Sequence, residues 1–447
     1  MGILIRLGFL LTIVAGATNY LDASEVHVTE KIAGIRSAHV PAPPLRPPPE
    51  GSTSARRRTR PGYNSIQIAI SIYPPGSNRK VSGVCSETDA SELKKDDPAF
   101  CGMSVFDDSD FEIDYSNKVF GWVQEATRKF SPDSWYLLMQ YDELPGVSQC
   151  VLSCGRIMEM PKPAETFQFL SGDNVFDVMD RMSTNIHEIS HAFSRKNIFK
   201  YAWENDITLE MGNEGRLIYL TPSESYLITY PRDSLFPAAR LARNIPESVR
   251  TLRYNTYISG STSTQTHGVL ALLDELNAYF LGSRFRYEML EAYKMAGNTS
   301  ADGFFEWISG AQGTMGAFFE IDYFILEYLL YMKSHHPRRY ELLRSNQSFR
   351  EAWLAVRTSY SSLLNGYFQT INDEMKDLNA SGEFELKIDN NRILIRRTGY
   401  KPSSRLIISS AMERLLPVLQ SSRYLEIKQD FALAYAGGSS FNFPVTD

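Results

Sequence analysis

The sequence predicts an α+β fold: a small mixed sheet with one central helix, followed by a mostly helical half. Three observations carry this expectation. Ile66, Ile68, Ile70 and Ile72 alternate with polar or small residues, the period of a half-buried strand. Val175, Met179, Met182, Ile186, Ile189 and Phe193 recur at spacings of three and four, the period of a helix. Past residue 300, the stretches 304–332 and 349–378 are helical in pattern.

A chain of 447 residues, 43% hydrophobic and 22% charged, has room for two or three domains or one large one. Its net charge of −6 argues against nucleic acid as a partner. Neither a Gly-rich phosphate loop nor a 20–50-residue repeat is present. Residues 1–23 read as an export signal: Arg6 precedes an apolar run from Leu7 to Ala17, and Ala15-Gly16-Ala17 suits cleavage. Eleven apolar residues are too few to cross a bilayer of about 30 Å, so no stable membrane span is expected after signal removal. An exported (periplasmic, cell-surface or extracellular) chain meets oxidising conditions. Cys85, Cys101, Cys150 and Cys154 are then expected to form two disulfides, in any of three pairings.

Residues 24–61, with PAPPLRPPPEG and ARRRTRP, read as a disordered linker or propeptide. An α/β part, 62–172, begins with the isoleucine strand. It continues with a helix over Asn117–Phe130, a buried strand over Trp135–Tyr141 and another strand over Thr166–Leu170. A core at 173–300 opens with the periodic helix, which Asp173 is placed to cap. Within it, 195–265 holds two β-like runs, Arg216–Leu220 and Tyr226–Tyr230, before a second helix over Thr266–Leu281. The part 301–447 adds the two long helices, a hairpin over Glu383–Arg397 turning at Asp389-Asn390-Asn391, and a last helix over Arg405–Leu416.

The chemistry concentrates in His187-Glu188-Ile189-Ser190-His191, inside the periodic helix. Two histidines four apart on a helix point the same way and can hold one Zn²⁺, with a carboxylate beside them to act on water. Two of the seven histidines in the chain fall at this spacing, next to the apolar stripe without belonging to it. His335-His336, by contrast, are adjacent, cannot share a helix face, and read as surface residues.

The HExxH segment resembles the zincin metallopeptidases. Ser194 and Asn197 stand where the metzincin branch has glycine and a third histidine, so that branch is excluded. The gluzincin branch takes a third ligand from a glutamate on a later helix, which here implies Glu275, followed by Ala278. The separation (275 − 191, or 84 residues) is long for that branch. Asp274 is the runner-up ligand, and Glu204, Glu210 and Glu214 lie in the intervening segment. The resemblance implies a zincin-like catalytic domain whose edge strand, 166–170 or 135–141, pairs with a peptide or protein substrate. It implies His187, His191 and Glu275 on Zn²⁺ and Glu188 as general base; by helical position relative to Glu275, His267 and Tyr279 are the candidates to donate to the oxyanion. Two other readings share these residues: a zinc hydrolase of cell-wall peptides, and a non-catalytic surface protein on the same scaffold.

Overall fold

The computed structural model describes residues 70–71, 119–144, 147–151, 157–204, 213–260, 263–389, 391–407 and 409–432. The export signal, the linker, Cys85, Cys101 and Cys154 lie outside the described residues. Of the isoleucine strand only β1, Ile70–Ser71, is described; it pairs antiparallel with β2, Val147–Val151, which pairs in turn with β3, Ile157–Pro161. The architecture is α+β: among the described residues three small sheets, each antiparallel rather than mixed, are set among long helices.

Helix α1, Val119–Phe130, matches the expected one. Trp135–Tyr141 does not form a strand: it lies in helix α2, Pro132–Asp142. The local chemistry explains the correction, because Pro132 stands at the first helical position and Asp133 in the first turn. Leu137, Leu138 and Tyr141, all buried, then share one helix face. Thr166–Leu170 is a turn, not a strand. Its polar groups bond side chains instead of a ladder: the Thr166 hydroxyl donates to Asp142 (2.5 Å), and Asn185 donates to the Thr166 carbonyl (2.9 Å). Asn185 also accepts from the Phe169 amide (3.3 Å).

The periodic helix is α3, Val175–Glu204, thirty residues long. Asn174, not Asp173, caps it: the Asn174 side-chain oxygen accepts from the Asp177 amide at 3.0 Å, the N-cap-to-N3 bond. All six residues of the apolar stripe are buried. The two β-like runs are strands β4, Asn213–Thr221, and β5, Glu224–Pro231, paired as a hairpin. Short helical turns follow, and Gly268, at φ +59°, then lets the chain swing into α4, Gly268–Glu288.

Helix α4 is buried on nearly every side. It packs along α3 on one side and along α6, Ser300–His335, on another, with α5, Leu290–Ala296, between α4 and α6 in sequence. Helix α7, Pro337–Ser345, leads to α8, Gln347–Ala380, which packs on α4 and β5. The hairpin forms as expected from β6, Phe384–Asp389, and β7, Arg392–Arg397, with Asp389 opposite Arg392. A third strand, β8, Ser403–Leu406, takes up Arg405, so the last long helix, α9, starts later, at Ser410–Leu419, capped by Ser409. A short α10, Leu425–Asp430, follows. Buried side chains from Trp122 to Phe431 form one continuous core. Among the described residues no helix is long and apolar enough to cross a membrane.

The contact that positions the site is where α3 crosses α4. The Ser183 hydroxyl donates to the Gly282 carbonyl at 2.9 Å, one turn before His187. A Cβ on Gly282 would stand 2.8 Å from the Ser183 carbonyl oxygen, closer than atoms pack. We therefore expect Gly282→Ala to push the helices apart and lower stability by about 1–3 kcal/mol. Gly121→Ala, at an exposed position of α1 with nothing within 4 Å of the new methyl, should be neutral or stabilising. Thermal melting of the two variants checks the contrast.

Candidate metal centre

His187 and His191 project from the same face of α3, and their Nε2 atoms lie 3.3 Å apart. Helix α4 supplies the third corner: Glu275 Oε2 is 3.5 Å from His187 Nε2 and 3.4 Å from His191 Nε2. These three atoms make a nearly equilateral triangle. Tetrahedral coordination with bonds of about 2.0–2.1 Å sets neighbouring donors about 3.3–3.4 Å apart, which is the size of this triangle. Among the described residues this is the one group of His, Cys, Asp or Glu placed to hold a metal ion.

Asp274, the neighbour of Glu275 in sequence, does something else. Its Oδ2 lies 3.0 Å from His191 Nδ1, the nitrogen on the far side of the ring from the triangle. A carboxylate there makes Nδ1 the donor, and in the neutral ring leaves the Nε2 lone pair facing the other two corners. Burial opposes the charged form of His191, but Asp274 and Glu275 outweigh it and raise its pKa well above the usual range. Burial likewise opposes the charges of Asp274 and Glu275, yet His191 holds both below the ordinary carboxylate range. The carboxylates of Asp274 and Glu275 on either side of the His191 ring make a field that favours a cation at the triangle.

The wider charge balance points the same way. Glu188, Glu214, Asp274 and Glu275 are all buried, and taking a carboxylate out of water costs several kcal/mol unless it is paired. Two guanidiniums offset them: buried Arg216, and half-buried Arg195, whose pKa burial and Arg216 together lower. Four buried carboxylates thus face two guanidiniums, and the excess of negative charge favours a cation at the triangle.

Glu188 makes no hydrogen bond or ion pair among the described residues, although only 7% of it is exposed. Its carboxylate is unspent. Tyr279, one turn beyond Glu275, packs its ring edge-on to His187 at 4.5 Å between centroids. Its hydroxyl meets that of Tyr257 at 3.0 Å, and the Arg253 guanidinium stacks over its ring at 4.5 Å. Tyr257 sits on a π-helical turn, Asn255–Ser259, and was not among the residues expected from the sequence. Burial raises its pKa first, and the Glu275 charge adds to this. No spacing ties residue 257 to residue 187, and the sequence signals it only as one tyrosine in an aromatic-rich segment.

His267, at the N-cap of α4, is bound elsewhere: its Nδ1 lies 2.7 Å from Glu214 Oε1. Glu214 also faces Arg216 (3.4 Å) and does not enter the triangle. Glu204 ends α3 and its side chain is not described, and Glu210 lies outside the described residues. His335 is exposed and bonds the Tyr331 carbonyl (3.1 Å), while His336 packs against Phe236.

No protein-family model, curated protein or solved structure matches the chain.

Metal analysis after loading with Zn²⁺ tests the triangle. We expect about one equivalent on the wild type, none on His187→Ala or His191→Ala, and a sharp loss on Glu275→Ala. Asp274→Ala should keep most of the metal at saturation and weaken its affinity by about 10- to 100-fold, the behaviour of a residue behind a ligand. Loss of metal in Asp274→Ala with retention in Glu275→Ala would reverse the two assignments.

Proposed function

We propose that the protein is an exported zinc-dependent metallopeptidase with a zincin-like catalytic core. The single observation that carries this reading is the donor triangle beside an unspent carboxylate: His187, His191 and Glu275 at 3.3–3.5 Å, with Glu188 next to the first ligand and without a partner among the described residues. Two imidazoles and one carboxylate suit Zn²⁺, and three protein ligands leave a position for water or substrate, as in catalytic rather than closed structural sites. Zinc bound there supplies a Lewis acid that brings the pKa of a water toward about 7.

The rest of the chemistry falls to the chain. Glu188 takes the proton of the attacking water and returns it to the leaving amine. The Tyr279 hydroxyl donates to the oxyanion as the carbonyl becomes tetrahedral, held in place by Tyr257 and by the Arg253 guanidinium over its ring. His267 is less suited to that task because Glu214 already occupies it. Asp274 keeps His191 in the ligating tautomer.

Substrate binding follows a different route from the edge strand expected at 166–170 or 135–141, since neither is a strand. Strand β4, which packs on both ligand helices, is not an open edge beside them either. Its Leu217 and Tyr219 carbonyls face away from β5, and the side chains of Ser194 and Asn277 bond them. A peptide substrate is therefore held by side chains around the metal centre more than by strand addition at this edge.

Hydrolysis of casein by the zinc-loaded protein tests the reading. Glu188→Gln should keep its zinc and lose activity by ~10²-fold or more. Tyr279→Phe should also keep zinc and lower kcat by ~10²-fold, the usual consequence of removing one oxyanion donor. A wild type that holds zinc and cleaves neither casein nor cell-wall crosslink peptides would be a binding protein on this scaffold.

A further inference from the structure

We propose that the β4–β5 hairpin is a working part of the metal centre: Glu214 and Arg216 are positioning residues that hold Asp274 and, through it, the His191 imidazole in ligating orientation. The inference deepens the metallopeptidase reading and rests on it. A continuous chain of polar contacts carries it. Asp274 Oδ2, 3.0 Å from His191 Nδ1, is also 3.7 Å from Arg216 Nη1. Arg216 Nη2 lies 3.4 Å from Glu214 Oε1, and His267 Nδ1 lies 2.7 Å from that same oxygen. Two carboxylate oxygens thus each join two cationic or donor groups, and the line runs from the N-cap of α4 back to a metal ligand on α3. Glu214, Arg216, Asp274 and His191 are all buried, so water screens little of it.

The strand's geometry makes the arrangement specific. Residues 214 and 216 share one face of β4 by the two-residue period, and Gly215 turns to the other. A Cβ at Gly215 would meet the tip of the Ile198 side chain, so this face of β4 looks onto α3. A register slip by one residue would bring a side chain into that contact and turn both charged residues away from Asp274. Arg216 also sits near enough to Arg195 for the two charges to repel, and its own Nε is buried without a hydrogen-bond partner among the described residues. Both features oppose placing an arginine here; Glu214 and Asp274 offset them. If Arg216 served only to neutralise buried acids, its removal would weaken folding but leave the geometry at His191 alone. If it aims Asp274, its removal should be felt at the metal.

The experiment uses the full chain. It measures the Zn²⁺ dissociation constant by competition with a chromophoric chelator, and the visible absorption of the Co²⁺-substituted protein, which reports ligand geometry. Arg216→Gln should weaken Zn²⁺ binding by about 10-fold or more and shift the Co²⁺ bands. Arg216→Lys, which keeps the charge, should recover part of both. Glu214→Gln should move both readouts in the same direction by a smaller factor. Melting of the metal-free variants separates folding from positioning: a lower melting temperature with unchanged Zn²⁺ affinity and unchanged Co²⁺ bands overturns the proposal. Should Arg216→Gln fail to fold, Glu214→Gln and His267→Gln carry the test, and unchanged affinity in both overturns it. A wild type that binds no Zn²⁺ removes the metallopeptidase reading and this inference together. A zinc-loaded wild type with indifferent variants removes this inference alone.

Discussion

The close crossing of α3 and α4 is the constraint on which the rest of the site depends. The triangle has two corners on one helix and one on the other, so the rotation and separation of the two helices decide whether three donors meet. Ser183 and Gly282 set that separation, because glycine alone leaves room for the opposing backbone. Ala278, one turn from Gly282 toward Glu275, is also small and fully buried, which extends the close contact toward the ligand. Behind α4, the aromatic wall of α6 and α8 fixes it from the far side; Tyr360 of α8 bonds Ser283 at 2.9 Å and the Thr314 carbonyl at 2.7 Å. The candidate metal centre is thus held by ordinary core packing rather than by loops, which suits a site needing sub-ångström placement.

Charge burial explains why so much chain lies between the two ligand helices. Helix α4 carries Asp274 and Glu275 side by side in a nearly dry environment, a costly arrangement without cations nearby. The segment between the helices brings Arg216 on β4, and Arg253 further along, to side chains beside the triangle. Arg216 faces Asp274; Arg253 pairs with Glu320 of α6 and stacks on Tyr279. The 84-residue separation (275 − 191) thus includes residues that offset and hold the groups around the triangle.

How much of this was legible in the chain follows from the range of the interactions involved. Helix α3 and the pairing of His187 with His191 are consequences of a local period, so a reader of the sequence finds them directly. The hairpin at 383–397 and the two long helices of the second half are legible for the same reason. Where a short apolar run stood alone, local pattern misled: Trp135–Tyr141 reads as a strand by composition, and the decisive signal was the Pro132-Asp133 helix start just before it. Thr166–Leu170 failed differently, because Asn185 bonds its Thr166 carbonyl and Phe169 amide and Asp142 bonds its Thr166 hydroxyl, residues no local window includes.

By itself the sequence determined the helical spacing of two histidines, a carboxylate beside them, and a short list of acids for the third corner. Tertiary structure decided among that list. Asp274 and Glu275 are adjacent on a helix buried on nearly every side, so no apolar stripe indicates which one faces α3. Only the packing of α4 turns Glu275 into the triangle and Asp274 behind His191. The same holds for Tyr257, Glu214 and Arg216, which reach the centre through folds of the intervening segment. Side-chain period is a property of one helix or strand, whereas a coordination triangle is a property of two surfaces pressed together.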